Sequence, residues 1–524
     1  MSPLPPERRG PPRTLLTLAA SGLLLAAIDA YAVVALLPAM MGDVGVSVDR
    51  IEQATPILTG FLAGYVVAMP LVGAVSDVRG RVPVYLACLA LFAAGSAVTA
   101  ASPSLAVMAG GRVLQGLGGG ALVPLTLALA ADVYPAGGRP LALGAVSGLQ
   151  EAGSAVGPLW GAALAAAAAG WGGWRCVFWL NLVLALALAV AIGLTARWPL
   201  RGGGEMPLRA HRGAADVPGA ALLGAGLGLL VLALYPDDPS RRALHTHLIP
   251  ILAGSFICLA GYGWRQARRL EPLIPRALLG SAPFLGSLGA NLLAGVALMV
   301  ALVDVPLAAR GVYGLDQLGA ALLLARFLAG VPVGALLGGW LAGRVRPGPG
   351  PVAAAGLLLA GAGFAVMSGW GPDELPGHWP GASASLFAGG LGLGLVIAPL
   401  ATAALDVRGR EHGLAASLLV MARTLGMLVG LAGLTAFGLQ RFQAILAERR
   451  GVGCSSSNLA GQLACLAGRA RSALLIEYQE LFLIAAATCL LGALVAALTL
   501  RGARPGLAGT GPQGAADLED SARG

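Results

Sequence analysis

Fourteen long apolar runs dominate this sequence, and they limit what the chain can fold into more than any other feature. Each run is close to the roughly 20 apolar residues that one helix needs to cross the hydrocarbon core of a bilayer. The runs lie near residues 16–40, 53–75, 83–100, 105–131, 141–165, 174–196, 216–235, 247–264, 283–308, 317–343, 351–370, 381–402, 413–437 and 479–500. Charged residues make up only 11% of the chain, against about 25% in soluble domains, so it has too little polar surface to face water. The sequence therefore predicts an all-α integral membrane protein with 14 transmembrane helices.

The arginines predict how these helices are oriented. All 34 basic residues are arginines, and if the N-terminus lies inside, 21 of them fall in inner segments and 10 in outer segments. Because inner loops of membrane proteins are enriched in basic residues, both termini are expected in the cytoplasm of a multi-pass protein of the inner or plasma membrane. The first run contains Asp29 and is longer than the apolar region of a signal peptide, so we interpret it as an uncleaved span.

Several classes of function are disfavoured by residue content. A chain without lysine cannot contain the GxxxxGK[ST] phosphate loop, so nucleotide hydrolysis by that route is excluded. The net charge of +9 comes from scattered arginines, which do not form the basic stripe of a nucleic-acid-binding protein. The sequence has no Cys/His cluster for a metal and no Ser/His/Asp set within the runs. We therefore expect a protein that is not an enzyme and that has no catalytic residues, metal or cofactor.

Two polar connections, 197–212 and 265–276, divide the fourteen runs into groups of six, two and six. Polar, Gly-rich stretches of this kind are typical of linkers. The predicted units are an N-terminal six-helix bundle (1–200), two linker transmembrane helices (201–280), a C-terminal six-helix bundle (281–505) and a disordered cytoplasmic tail (506–524).

A few ionisable side chains lie within the apolar runs, where each costs at least about 2.5–3.5 kcal/mol near a helix centre and so usually faces a cavity or a partner. They are Asp29, Arg112, Glu151, Arg326 and Arg423, with Asp304 near a run's end. At 1.5 Å per residue, Asp29 and Arg112 both lie roughly 20 Å from the inner face. Glu151 and Arg423 both lie near the midplane.

These depths permit two pairings, and two readings of them stay open. Because all five histidines fall outside the runs, a proton carrier within the membrane must be a carboxylate, either Asp29 or Glu151. Burial and a nearby arginine shift carboxyl protonation in opposite directions, so either residue could bind a proton in one conformation and release it in another. The alternative is a purely structural ion pair.

The connection after the second run reads GAVSDVRGRVPVY at 73–85. It resembles the G-x-x-x-D-R-x-G-R-R/K signature of the major facilitator superfamily, with Val82 in place of the final basic residue. In that family the loop is an inner gate, whose aspartate meets the positive N-terminal end of a second-half helix. The resemblance implies that Asp77 meets the start of the thirteenth span near Gly413, held by Arg81. The implied gate residues are Gly73, Asp77, Arg79, Gly80 and Arg81.

Two further motifs agree with this family. GRVLQG at 111–116 resembles its R-x-x-Q-G motif in span four, and GLQEAGSAVGPLWGA at 148–162 resembles its antiporter motif in span five. The matching residues are Arg112, Gln115 and Gly116 in span four and Gly153, Gly157, Pro158 and Gly161 in span five. With fourteen spans, the chain resembles the drug:H+ antiporter branch, which implies two six-helix bundles plus two intervening helices. Its span-one sequence IDAYAVVALLP keeps Asp29 but has Tyr31 and Val34 where that branch has threonine and asparagine.

Four longer stretches resemble the triacylglyceride exporters of mycobacteria, which are also described as multidrug efflux proteins. They are LQEAGSAVGPLWG (149–161), ALMVALVDVPL (297–307), GLGLGLVIAPL (390–400) and MARTLGMLVG (421–430). This resemblance implies a proton-coupled exporter of triacylglyceride-like lipids, driven by the proton gradient, with a periplasmic lipoprotein as partner. It places Asp29, Glu151 and Arg423, together with Arg112, in the proton-coupling set. The alternatives are an H+ antiporter for drugs or dyes and, more remotely, a non-transporting lipid-binding membrane protein.

The outer segment 438–478 continues the pattern of the thirteenth run, with apolar residues at helical spacing on both sides of GVGCSSSN. It predicts a helical hairpin that rises from the membrane. Its apolar stripe would either guide acyl chains outward or pack only on itself. Cys454 and Cys465 both lie in this segment on the oxidising side, which makes them candidates for a disulfide.

Overall fold

The computed structural model describes residues 11–45, 55–135, 137–197, 216–234, 247–269, 272–345, 348–372, 379–406, 412–448 and 459–500. Within these ranges the regular structure is helical, without β-strands. The first six α-helices are α1 (Pro11–Asp43), α2 (Thr55–Arg79), α3 (Arg81–Ala100), α4 (Leu105–Val133), α5 (Arg139–Ala167) and α6 (Arg175–Arg197). A 3-10 turn, Ala169–Trp171, precedes α6.

Two helices follow in the middle of the chain, α7 (Val217–Leu234) and α8 (Leu248–Arg268), and then the short α9 (Arg276–Leu279). The last six helices are α10 (Ala282–Gly311), α11 (Gln317–Ala342), α12 (Pro349–Met367), α13 (Trp379–Ala404), α14 (His412–Glu448) and α15 (Leu459–Thr499). The predicted tail, 506–524, lies outside the described residues.

The all-α membrane fold agrees with the sequence prediction, and the helix count is consistent with fourteen spans. Twelve helices among the described residues are long and apolar enough to cross a membrane. The two other long helices are α7, whose apolar part is Val217–Ala233, and α5, whose interior carries Gln150 and Glu151. These two polar side chains lower the mean hydropathy of a helix that is nevertheless 29 residues long, enough to span roughly 30 Å of hydrocarbon.

The long helices form two six-helix bundles, α1–α6 and α10–α15, with α7 and α8 beside the first. Helix α7 packs on α2, where Gly224 and Gly228 lie directly against Val67. Glycine at a helix crossing lets the backbones approach closely, which is the usual basis of helix packing in lipid. Helix α8 packs mainly on α7, where Ser255 Oγ donates a 2.7 Å hydrogen bond to the Gly226 carbonyl. Most of the other side chains of α8 point away from the bundles.

The two bundles meet at the ends that are predicted to face the cytoplasm, called the inner ends below. Gly144 of α5 lies against Ala335 and Gly339 of α11. Arg139 at the start of α5 donates a 3.5 Å hydrogen bond to the Leu405 carbonyl after α13. These close approaches hold the two bundles together at this end of the molecule.

Candidate functional site

Asp29 lies at the centre of a polar cluster buried inside the first bundle. Arg112 Nη1 donates to Asp29 Oδ2 over 2.8 Å, and Asn181 Nδ2 donates to Oδ1 over 2.6 Å. Gln115 Nε2 lies 3.3 Å from both carboxylate oxygens. Asp29 is 1% exposed and Arg112 is not exposed at all. The pairing that helix depth permitted is therefore present.

The same cluster fixes the position of the Arg112 guanidinium. It stacks over Phe61, with 4.4 Å from Cζ to the ring centroid, and Nη1 donates to Gln115 Oε1 over 3.0 Å. Gln115 Nε2 in turn donates to Ser96 Oγ over 2.9 Å. A carboxylate that has one cation and two amide donors in a dry interior is well compensated while it is ionised. Binding a proton to Asp29 would remove its attraction for Arg112 and so reorganise the cluster.

The second pair joins the two bundles. Glu151 of α5 accepts a 2.8 Å charged hydrogen bond from Arg423 Nη1 of α14, and only 8% of Glu151 is exposed. On the opposite side, the Arg423 backbone carbonyl lies against Gly295 of α10. Tyr31 lies near this pair on α1. Because the pair spans the interface between the bundles, its strength depends directly on how the bundles are arranged.

The DVRGR loop forms a third cluster, at the inner ends. Asp77 accepts hydrogen bonds from the backbone N–H groups of Gly413 at 3.1 Å and Leu414 at 3.0 Å, which are the first free donors of α14. Arg81 Nη1 lies 2.5 Å from Asp77 Oδ1. Gly80, between α2 and α3, has φ 91°, a conformation that favours glycine. Asp77 and Arg81 are therefore placed as the resemblance implied.

The remaining residues of that loop differ in their surroundings. Gly73 lies against Gly413 and Ser417 of α14, so a larger side chain there would push the bundles apart. Arg79 is exposed, and no ion pair or hydrogen bond of its side chain is present among the described residues.

Two residues of this gate were not predicted from the sequence. Asp132, at the end of α4, accepts from Arg81 Nε at 3.0 Å and lies 2.7 Å from His412 Nδ1. His412 is the first residue of α14, so the expectation that every histidine falls outside the helices was wrong at this position. The predicted thirteenth run began at residue 413, one residue after the true start of α14, so His412 was left outside it. For Asp132, the only signal in the sequence was an acidic side chain near an inner arginine.

The motif glycines act in helix packing. Gly116 of α4 lies against the Phe61 carbonyl of α2. On α5, Gly153 lies against Leu24 and Ala27, Gly157 against Ile28 and Tyr31, and Gly161 against Ala32, all on α1. Pro158 lies inside the continuous helix α5. These contacts hold α1 and α5, which carry Asp29 and Glu151, close together.

The other predicted residues lie in the second bundle. Asp304 is buried in α10, 7% exposed, and Arg326 is partly buried in α11. Helices α14 and α15 are 37 and 41 residues long and are joined near their outer parts by Arg441, whose Nε lies 2.8 Å from Glu480 Oε2. Cys465 is disulfide-bonded, whereas Cys454 lies with the turn GVGCSSSN outside the described residues.

Comparison with known proteins gives relatives along most of the chain. The sequence profile described as Major Facilitator Superfamily matches residues 19–431. A triacylglyceride transporter of Mycolicibacterium smegmatis is 42% identical over 492 residues, covering 91% of this chain and 85% of the relative. A probable triacylglyceride transporter of Mycobacterium leprae is 38% identical over 507 residues, covering 93% and 96%.

Solved structures share the fold at low sequence identity. The human organic anion transporter MFSD10 (TETRAN) has a TM-score of 0.60 at 19% identity, covering 94% of this chain and 100% of the solved one. The proton:xylose symporter XylE has a TM-score of 0.58 at 13% identity, covering 92% and 94%.

Proposed function

The chain belongs to the major facilitator superfamily and is a multi-pass membrane transporter, and from that premise we propose that it is a proton-coupled exporter of triacylglyceride-like lipids that works by alternating access. The observation that carries the proposal is the Glu151–Arg423 pair. It joins the two halves of the transporter at 2.8 Å, at the height that the sequence predicts for the membrane midplane, and a change of one charge there would alter the balance between two arrangements of the bundles.

Proton binding to Glu151 would weaken this pair. Once Glu151 is protonated, its neutral carboxyl can still accept a hydrogen bond from the charged Arg423 guanidinium, but the attraction between opposite charges is lost. The bundles are then freer to separate near the midplane. A proton that moves across the full membrane potential contributes a further 2.3 kcal/mol or so per 100 mV, which is enough to bias the switch in one direction.

Asp29 is the second proposed proton carrier. Its cluster lies entirely within the first bundle, so its protonation would change how α1, α4 and α6 pack rather than how the halves meet. Helix α1 also contacts α5 through the motif glycines. A change in the packing of α1, caused by protonation of Asp29, would therefore alter the position of α5 and of Glu151 on it.

Three observations support a lipid as cargo. Relatives that are about 40% identical over most of the chain are named triacylglyceride transporters. Asp29 and Glu151 are each bound to an arginine, so neither offers a free negative charge to a cationic drug. The outer hairpin also exposes large apolar side chains, including Leu463 at 57% and Leu466 at 55%.

The length of α14 supports an outward path along that hairpin. The 25 residues from Arg423 to Glu448 rise roughly 38 Å, whereas half of the hydrocarbon core is roughly 15 Å thick. About 20 Å of α14 would therefore stand outside the hydrocarbon. We propose that its apolar surface shields acyl chains there and passes them to a periplasmic lipoprotein.

The alternative of drug or dye efflux is favoured by one feature, the retention of Asp29 from the span-one pattern of the drug antiporters.

Reconstitution in liposomes distinguishes lipid export from drug efflux. The full chain in liposomes with an imposed pH gradient should transfer a fluorescent triacylglyceride to an external acceptor, and Glu151→Gln should lose the dependence on the gradient. Asp43→Asn, at an exposed outer pair with Arg175, is the matched control. Dye extrusion without lipid transfer would favour the drug pump, and movement of neither would favour a non-transporting protein.

A further inference from the structure

Two carboxyl groups in the second bundle have no cation, although one of them is deeply buried. Asp304 of α10 is 7% exposed and Glu477 of α15 is half-buried. Neither carboxyl has a hydrogen-bond or ion-pair partner among the described residues. Ionisable side chains without a partner are rare within membrane-spanning helices and usually mark a functional site.

The register of α10 against α15 brings these two carboxyls together. Gly286 lies against Thr499 near the inner end of this antiparallel pair, and Gly311 lies against Leu474 near the outer end. This register sets Asp304 level with residue 481, one helical turn from Glu477. Glu477 lies within electrostatic range of Asp304, and Tyr478 lies within range of both carboxyls. From α14, Gly438 lies against Glu477 Oε1.

The neighbouring cation is already occupied. Glu480, the next acidic residue of α15, binds Arg441 of α14 through both carboxylate oxygens, at 2.8 Å from Nε and from Nη2. The negative charge of Glu480 also lies close to Glu477. Two carboxylates that lie about one helical turn apart on neighbouring helices, in a poorly solvated place, cannot both be ionised at little cost, and close pairs of this kind commonly share a proton.

We propose that Asp304 and Glu477 form a proton-uptake site on the outer side of the second bundle, which supplies the central Glu151–Arg423 pair. Glu477 is the half-buried member that meets the outer solution, and Asp304 is the buried member that faces inward along α10. Gly295 of α10 lies against the backbone of Arg423, and Asp304 is nine residues, or roughly 13 Å, further out. The proposal rests on the proposed proton-coupled function and adds a second ionisable site to it.

Infrared difference spectroscopy on the full chain during a pH titration tests proton binding without any transport. The wild type should show a protonated-carboxyl band that Asp304→Asn and Glu477→Gln each remove, while Asp316→Asn, at an exposed N-cap of α11, leaves it unchanged. If the band survives both substitutions, the shared proton does not exist and the proposal fails. Since this measurement needs no cargo, it remains decisive even if lipid export itself is not observed.

Transport then tests the role of the site. In liposomes, Asp304→Asn and Glu477→Gln should each slow gradient-driven lipid export by about 100-fold, the scale at which a positioned proton-transfer group contributes. Lipid exchange without a pH gradient should stay at the wild-type rate, which shows that the variants are folded. Unchanged gradient-driven export would overturn the uptake role. A requirement of wild-type export for Na+ in place of the proton gradient would also overturn it, because the pair would then be a cation site.

Discussion

Removal of the Asp77 carboxylate should open the inner gate. Asp77 accepts two backbone hydrogen bonds at the N-terminus of α14, at 3.1 and 3.0 Å, and contacts Arg81. An N-terminal cap contributes about 0.5–2 kcal/mol, and a hydrogen bond to a charged group contributes about 1.5–3 kcal/mol. Because Arg81 keeps Asp132 as a partner, we expect Asp77→Ala to destabilise the inner-closed arrangement by about 2–4 kcal/mol, a shift of roughly 30- to 1,000-fold in the ratio of closed to open protein.

A cysteine at position 417 can report this ratio. Ser417 is buried where α14 packs against Gly73 of α2, and its hydroxyl has no hydrogen-bond partner among the described residues, so Ser417→Cys removes no hydrogen bond. In a background without the free cysteines, a maleimide applied from the inner side should react at a rate proportional to the open fraction. Asp77→Ala should therefore raise the rate by roughly 30- to 1,000-fold.

The control for this experiment is Asp43→Asn, which alters an ion pair at the outer end of the same bundle and should leave the rate unchanged. If folded Asp77→Ala protein reacts at the wild-type rate, the contact of Asp77 with α14 does not hold the gate, and the reasoning about this cluster is wrong.

Three other perturbations test separate parts of the structure. Glu151→Gln should leave lipid exchange without a gradient intact and abolish its acceleration by a pH gradient, measured in liposomes. Asn181→Leu removes the 2.6 Å hydrogen bond to Asp29 and should move the pH midpoint of export upward by about 1 to 2 units, since a charged hydrogen bond of about 1.5–3 kcal/mol is lost. Outside the spans, burial raises the pKa of the Asp216 carboxyl, but Arg265 and its other donors lower it more, so this pKa lies below its ordinary value. The stabilisation of α7 by Asp216 is therefore present at neutral pH and lost only as the pH falls through about 4 and below, which amide exchange of the first turn of α7 can measure against Asp216→Asn.

Both deep ion pairs agree with heights calculated from the sequence, because a helix rises by a constant distance per residue. Asp29 and Arg112 were expected at equal heights, as were Glu151 and Arg423, and each pair is in contact at 2.8 Å. Height alone restricts a side chain to one layer of the membrane and does not choose its neighbour.

The partners that sequence reasoning missed depend on packing between distant helices. Asn181 reaches Asp29 because α6 crosses α1 at that level, and nothing in the run around Asn181 indicates which way its amide points. Asp132 and His412 meet only when the two halves close at their inner ends. The place of α7 beside α2 likewise depends on the fit of Gly224 and Gly228 against Val67, a match of surface shape that the hydropathy of the sequence does not reveal.

The most direct test of proton coupling is to measure protons while a lipid gradient alone drives transport. Liposomes that contain the full chain, with equal pH on both sides and a pH-sensitive dye inside, receive an external acceptor that withdraws triacylglyceride. Our account predicts that each lipid exported is accompanied by inward proton movement, and that Glu151→Gln continues to move lipid without moving protons. Export by the wild-type protein with no change in internal pH would contradict it.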